Sequence, residues 1–467
     1  MRPAPTRIQP ESPYLQPTVL KFGGTSVGDK IGFQRVQQIV RDCRDRRPVV
    51  VVSAMSGITD LLIRSFRAAQ SGDIPLARQI LEAVSSRHLA VARELLVTRH
   101  EASARETITA AGEISALLDA AVTSGNASAL EDLVCSYGER LAAGLLTAVL
   151  LENDLAASFV DARLCIRTDS NHGNAKPLID ESEVQTRVNL APVIDELRIP
   201  VLGGFIGMSE DGKTTTLGRN GSDYTASIVG SALKAREIQI WSDVPGMMTA
   251  DPRLVSDARR IAQLSYAEAA ELAHFGAKVL HYKMIPLAAR RRIPVLVRNT
   301  FGRGVSGTLV CSQDGESTTR IKAIAHKKDM IALRLTPYDL LFSDSQIDGL
   351  RNTLRRHRVE IYAVAASVTS ATLLVDSAAI SSQLTDELNE TANVTAIDEC
   401  DAVFIIGGDV SCVPEILKRL NAMFAGSEPE LPLQSTHDRN LILAVARSRT
   451  AEVVTRLHSI FVDAAFG

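Results

Sequence analysis

At 467 residues, 45% hydrophobic and 22% charged, the chain has the makeup of a globular protein of about two to four domains. A net charge of −3 and 4% aromatic residues provide neither the basic field nor the stacking surface that nucleic-acid binding uses, and no apolar run reaches the about 18 residues of a membrane span. Its six cysteines are scattered without a C-x-x-C pair, as expected of reduced thiols in a cytoplasmic protein, and have no zinc-ligand spacing.

In chain order, residues 1–17 are proline-rich, lack the apolar core of a secretory signal and are expected to be a disordered leader. Residues 18–22 read as a strand, followed by the Gly23–Gly24 turn and an amphipathic helix over 32–43. The β-branched run P-V-V-V-V-S at 48–53 predicts a strand buried on both faces of a parallel sheet. An Ala/Leu/Glu/Arg-rich stretch over 59–154 favours helix. Apolar strands at 157–160, 200–204, 238–241 and 294–297 then alternate with helical patterns at 181–196, 223–234 and 266–289, which predicts an α/β domain with a largely parallel sheet over 18–312. A polar linker at 313–320 leads to shorter units. Strands at 321–325, 331–335, 361–365 and 371–375 with a helix at 345–356 form one expected α+β module, 321–392. Strands at 403–406 and 441–446 with helices at 413–424 and 450–461 form a second, 393–467, with interleaving of the two left open.

Two glycine motifs imitate nucleotide-binding loops. G-M-S-E-D-G-K-T at 207–214 matches the P-loop pattern, but a P-loop must open a helix, and here a β-branched run comes after a good Asp211–Gly212 hairpin turn. G-R-G-V-S-G at 302–307 matches a dinucleotide fingerprint, yet T-L-V and the linker come after it in place of a helix. Both are expected to be turns between strands.

The densest chemistry lies in T-T-T-L-G-R-N-G-S-D-Y-T, 214–225. Arg219 can grip a carboxylate with two parallel hydrogen bonds. Gly218 and Gly221 permit close backbone approach, and Ser222 and Asp223 fall at the start of a helix, where an anion is favoured. Lys21 and the Gly23–Gly24 turn, at the end of the first strand, can face a phosphate, although a strand-end lysine is more often merely solvated.

Taken together, K-F-G-G-T-S-V (21–27), S-A-M-S-G-I-T (53–59), Y-G-E-R (137–140), the 214–225 stretch, W-S-D-V-P-G-M-M-T-A-D-P-R (241–253) and F-G-A-K-V-L-H (275–281) resemble the aspartate kinase family, in that family's order, over roughly 19–310. The resemblance implies an amino acid kinase (carbamate-kinase-like) fold, a three-layer α/β/α sandwich, followed by two C-terminal ACT-like (ferredoxin-like) domains through which the chain would form a homodimer or larger oligomer. It implies an ATP-dependent phosphotransferase acting on the side-chain carboxylate of L-aspartate, cytoplasmic, at the entry to lysine, threonine and methionine synthesis. Arg219 would clamp the substrate α-carboxylate and Glu139 would accept its ammonium, with Ser53, Thr59 and Ser222 lining the substrate. Lys21 and Lys278 would neutralise phosphate charge and Asp223 would order the catalytic groups. Phe22, Gly23, Gly24, Ser242, Asp243, Met248 and Arg253 would meet ATP, whose phosphates would carry Mg²⁺ without a protein metal cage. Without the motif, Glu139 reads as a surface helix carboxylate, 243–246 as a plain turn and Met248 as core filler; His281 reads as structural.

The chain departs from the family pattern at Tyr282 in place of proline, at Met248 in place of a tyrosine, in the stretch 337–345 and at 445–450. The last two weaken the expectation of feedback inhibition by lysine or threonine. A kinase of another small amino acid or carboxylate, and a non-catalytic amino-acid-sensing paralogue, are the alternatives.

Overall fold

The computed structural model describes residues 16–123, 127–218, 220–276, 280–302, 304, 306–312, 321–357, 359–407, 418, 431–434 and 440–462. The chain packs into two compact units: 1–245 with 283–305, and 246–282 with 306–467.

In the first unit, β1 (Thr18–Phe22), α1 (Lys30–Asp42) and β2 (Pro48–Val52) precede four helices, α2 (Ile58–Gln70), α3 (Ile74–Leu95), α4 (His100–Ala121) and α5 (Ala127–Glu152). Then come β3 (Ala157–Phe159), β4 (Arg167–Thr168), α6 (Ile179–Asp195), β5 (Ile199–Gly203), β6 (Ile206–Ser209), β7 (Thr214–Thr216), α7 (Gly221–Ala232) and β8 (Glu237–Ser242). After β9 (Gln263–Ser265) and α8 (Tyr266–Phe275), which belong to the second unit, α9 (Ile285–Arg290) and β10 (Val295–Asn299) complete the first.

Its sheet runs β3-β5-β2-β1-β8-β10, with every neighbouring pair parallel. β1 and β2 are both fully buried, and the β-branched run of β2 suits a strand covered on both faces. Side chains alternate across the strands, so Leu20, Phe22, Val50 and Val52 join one core with Phe33, Val36, Ile58, Leu62, Phe66 and Leu146 of α1, α2 and α5. Lys21 points to the other face, where it meets α7. Helix starts obey local chemistry: Asp29 caps α1 through Gly32 N at 2.8 Å, and Asp73 caps α3 at 3.1 Å.

Among the described residues one helix, α5, is long and apolar enough to cross a membrane by length and composition. Polar positions scattered through it hide it from a count of uninterrupted apolar runs. Here it is a core helix, with Val134, Leu145, Leu146 and Leu150 inside the main cluster.

The second unit adds β11 (Thr308–Cys311), which pairs in parallel with β9, and then β12 (Ala323–Pro337), α10 (Asp344–Arg356), β13 (Ile361–Ala366), β14 (Ala371–Asp376), α11 (Ser382–Asn389), β15 (Ala392–Ile406), β16 (Leu431–Gln434), β17 (Asn440–Ala446) and the C-terminal helix Thr450–Phe461. Its sheet runs β13-β14-β12-β15-β17-β16 and is antiparallel throughout. Leu333, Leu350, Leu373 and Leu388 form one core, and Ile324, Val403, Leu443 and Leu457 another. The preceding segment belongs to the second core through Ala250 and Val255, and Thr249 O accepts from Ile324 N at 2.8 Å.

Several sequence expectations change. The two strands expected at 321–325 and 331–335 are one strand, β12, interrupted by a bulge between Lys327 and Met330 where Asp329 takes φ 60°. The expected helix 266–289 breaks after α8, because Gly276 adopts φ 148° and a methyl group there would collide with the His326 carbonyl oxygen. The sequence pattern does not anticipate α11 or most of β15. The expected helix 413–424 lies outside the described residues save Lys418, and the linker 313–320 and residues 1–15 of the leader lie outside them too. The P-loop look-alike is a hairpin, β6 pairing antiparallel with β7 around Gly212 at φ 76°, and the 302–307 glycines lead into β11. The described cysteines are all free thiols.

Candidate active site

Ligands of open parallel sheets collect at the carboxyl ends of the strands. In the first unit β1, β2, β5 and β8 end at Phe22, Val52, Gly203 and Ser242, and the residues just beyond them converge. Ser53 N donates to Phe22 O at 3.0 Å, Gly204 N to Val52 O at 2.9 Å and Gly23 N to Trp241 O at 3.0 Å. Only glycine fits some of these joints. A methyl group on Gly204 would sit 2.6 Å from Ser222 Cβ, and one on Gly203 would sit 2.8 Å from Glu139 Cβ.

Against this rim lie the start of α7 and the middle of α5. Lys21 Nζ and Asp223 Oδ1 form an ion pair of 2.7 Å, both side chains nearly buried. Lys21 is therefore no solvated strand-end lysine. Ser53 Oγ donates to Ser222 Oγ at 3.0 Å, tying β2 to α7. α7 itself starts from Asn220 in the left-handed region, with φ 57°, and the Asn220 side chain does not cap its first N–H groups.

Glu139 is 3% exposed and is no surface carboxylate. Its Oε1 accepts from Ala54 N at 3.2 Å, and its buried Oε2 has no hydrogen-bond partner among the described residues. Burial pushes its pKa up from 4.5 to about 8, against the opposing pull of the Ala54 N–H and the Lys21 charge. A buried carboxyl with one oxygen unsatisfied has room in its bonding for a cationic partner. Sequence reasoning missed the Ala54 N–H, because a backbone donor leaves no residue-type signal, although Ala54 lies inside the S-A-M-S-G-I-T stretch.

The other sequence-proposed residues are spread more widely. Thr59 is the second residue of α2 and half-buried. Gly23 and Gly24 open the turn after β1, where a methyl on Gly24 would come 2.8 Å from Ala54 O. Ser242 ends β8, and exposed Asp243 comes next, its carbonyl accepting from Asn299 Nδ2 at 3.2 Å. Met248 and Arg253 belong to the second unit. Met248 bridges to Arg260, and Arg253, largely exposed, pairs with Asp251 at 2.6 Å. His281 stacks on Tyr282 with ring centroids 5.1 Å apart. Arg219 and Lys278 lie outside the described residues.

Residues 16–299 match the amino acid kinase family. The chain is 33% identical over 453 residues to lysine-sensitive aspartokinase 3 of Escherichia coli (strain K12), a match covering 94% of this chain and 98% of that protein. The chain belongs to the aspartokinases of the amino acid kinase family. This aspartokinase chain also superposes on the crystal structure of E. coli aspartokinase III in complex with aspartate and ADP (R-state), with a TM-score of 0.86 and 32% identity, covering 95% of this chain and 99% of that one. It is 29% identical to the bifunctional aspartokinase/homoserine dehydrogenase 2 of Arabidopsis thaliana, a match covering 95% of this chain and 50% of that longer protein.

Proposed function

We propose that the chain transfers the γ-phosphoryl group of ATP to the side-chain carboxylate of L-aspartate, giving 4-phospho-L-aspartate and ADP. The observation that carries this is the group at the sheet rim: the nearly buried Lys21–Asp223 ion pair, the part-buried Ser53–Ser222 contact and buried Glu139, whose Oε2 has no hydrogen-bond partner among the described residues. The similarity to a crystallised aspartokinase with aspartate and ADP bound supports the same reading.

Glu139 receives the substrate ammonium, and Arg219 clamps the α-carboxylate through a two-pronged guanidinium contact. Ser53, Thr59 and Ser222 line the substrate. The aspartate side chain, with a reference pKa of about 3.9, is already an ionised nucleophile at neutral pH, so no general base is required. One of its oxygens attacks the γ-phosphorus as the bond to the β-bridging oxygen breaks and ADP leaves. Lys21, held by Asp223, stabilises the charge that builds on the phosphoryl oxygens, and Gly23 and Gly24 let backbone N–H groups approach them. Ser242 and Asp243, at the end of β8, contact the nucleotide; for Met248, Arg253 and Lys278 a nucleotide role is what the motif resemblance implies. Asp223, the rim carboxylate near the phosphates, is already paired with Lys21, a donor set that suits Mg²⁺ carried by the nucleotide and water. When bound, that ion screens the phosphate charge.

The antiparallel C-terminal sheet with its two cores corresponds in our reading to paired ACT-like domains, interleaved through the long strands β12 and β15, and it would serve homodimerisation in the cytoplasm. A coupled assay of ADP release with ATP and L-aspartate tests the activity. Aspartate-dependent release is expected, and Arg219→Ala should raise KM for aspartate at least about a hundredfold. No aspartate-dependent turnover, with turnover on a different small carboxylate, would replace aspartate as the substrate.

A further inference from the structure

Seven residues before Glu139, on the same helix, stands a second buried acid that the catalytic reading leaves unused. Asp132 is 3% exposed. Its two oxygens accept from His172 Nδ1 at 2.9 Å, from Gly173 N at 3.0 and 3.1 Å, from Thr216 N at 3.2 Å and from Thr216 Oγ1 at 2.5 Å. All these donors come from two segments, the loop after β4 and the end of β7. That pair of segments is knitted further by Ala175 N to Thr216 O at 2.8 Å and by the Thr168–Thr215 hydroxyl contact at 2.7 Å.

The residues just beyond Thr216 give these bonds a purpose. Leu217 and Gly218 lead to Arg219, and Asn220 and Gly221 open α7. Gly218 holds φ 77°, and a methyl group there would come within 2.7 Å of Asn174 Oδ1, in the same loop that Asp132 holds. Burying a carboxylate is costly, and well-packed apolar residues often stabilise a core as well or better. A buried carboxylate satisfied by these two segments therefore serves geometry more than stability.

We propose that Asp132 is a positioning residue for the substrate site, fixing the arm that leads from Thr216 and Gly218 to Ser222 at the start of α7. The inference rests on the aspartate kinase reading for its functional half. Residues seven apart lie on one face of a helix, about 10 Å along its axis. α5 thus works as a ruler: Glu139 sets the place of the substrate ammonium, and Asp132 sets, through Thr216, the place of the arm that leads to Ser222 at the start of α7. In the proposed function Ser222 and Glu139 meet the same small substrate, so a small shift of the arm relative to α5 breaks the simultaneous fit.

The test uses the full-length protein in three variants: Asp132→Ala, Asp132→Asn, which keeps one acceptor oxygen, and Thr216→Val, which removes a single hydroxyl bond while keeping a β-branched strand residue. Steady-state kinetics should give a KM for aspartate raised about tenfold or more in Asp132→Ala, less in Asp132→Asn and severalfold in Thr216→Val, with KM for ATP unchanged. Hydrogen exchange, which needs no activity, should show the Gly173 and Thr216 amides exchanging at least about tenfold faster in Asp132→Ala. Variants that melt earlier yet keep the wild-type KM for aspartate would reduce Asp132 to a structural residue. Unchanged exchange at Gly173 and Thr216 would remove the arm-fixing role itself. A wild-type protein without aspartate turnover, but with the exchange result intact, would overturn the substrate reading and leave the arm-fixing role standing.

Discussion

Replacing Glu139 by glutamine tests the electrostatic logic of the site without touching its shape. In the folded protein without substrate, burial raises the Glu139 pKa from 4.5 to about 8. Between those values the native state holds a proton that the unfolded chain has released, so stability falls as pH rises. The contribution is fully present below pH 4.5, declines across the interval at up to about 1.4 kcal/mol per pH unit, and is lost above pH 8, a total of about 5 kcal/mol. Glutamine cannot ionise, so Glu139→Gln should lack this slope. Chemical-denaturation series from pH 5 to 9 on both proteins, with and without aspartate, measure it. In the role proposed for Glu139 the substrate ammonium stabilises the ionised form, so saturating aspartate should flatten the wild-type curve and leave the variant's slope unaltered. In kinetics, kcat/KM for aspartate should climb with pH toward about 8 in the wild type, because in the proposed role the free enzyme must shed the Glu139 proton to bind the ammonium. The variant should lose that limb and raise KM for aspartate by about two orders of magnitude. Parallel loss of stability in the two proteins between pH 5 and 8 would refute the reasoning.

Lys21→Met should lower kcat at least about a hundredfold and destabilise the fold by about 3–5 kcal/mol, since it leaves Asp223 buried without its cation. Lys21→Met with Asp223→Asn should recover most of that stability but no activity; thermal melts of the singles and the double decide, and strict additivity would count against the pairing. Gly204→Ala should cost about 1–3 kcal/mol and raise KM for aspartate, because the added methyl displaces Ser222 at the start of α7; melts and kinetics at wild-type values would mean the rim yields freely. Gly276→Ala places a side chain at φ 148° against the His326 carbonyl and should destabilise the second unit, read as faster amide exchange in β12.

Much of the rim can be read from the chain itself. β1 and β2 announce themselves as apolar runs closed by glycines or serine, which puts Lys21, Gly23, Gly24 and Ser53 at strand ends from pattern alone. Glu139 is not legible that way. α5 is buried over most of its circumference, so no amphipathic stripe marks which polar residue faces the site, and only the family motif singles it out. Asp132 escapes notice for a related reason: its partners lie 40 and 84 residues away, and no local spacing encodes them. In the second unit the sequence pattern shows separate strands at 321–325 and 331–335, whereas one strand bulges between Lys327 and Met330 and continues. The membership of 246–282 in that unit depends on long-range contacts such as Ile324 with Thr249 and Lys322 with Glu268, which propensity does not report.

That membership bears on how the protein is made. The peptide leaves the first unit after Pro245, returns at Lys283 and leaves again after Val305. On the ribosome, 246–282 emerges well before β12, whose Ile324 hydrogen-bonds Thr249, and so must wait for its partner strand. A gene cut at residue 312 would not release a tidy catalytic fragment. It would strand the whole 246–282 insert, with the apolar faces of Ala250 and Val255 uncovered, inside a polypeptide whose parallel sheet is otherwise complete.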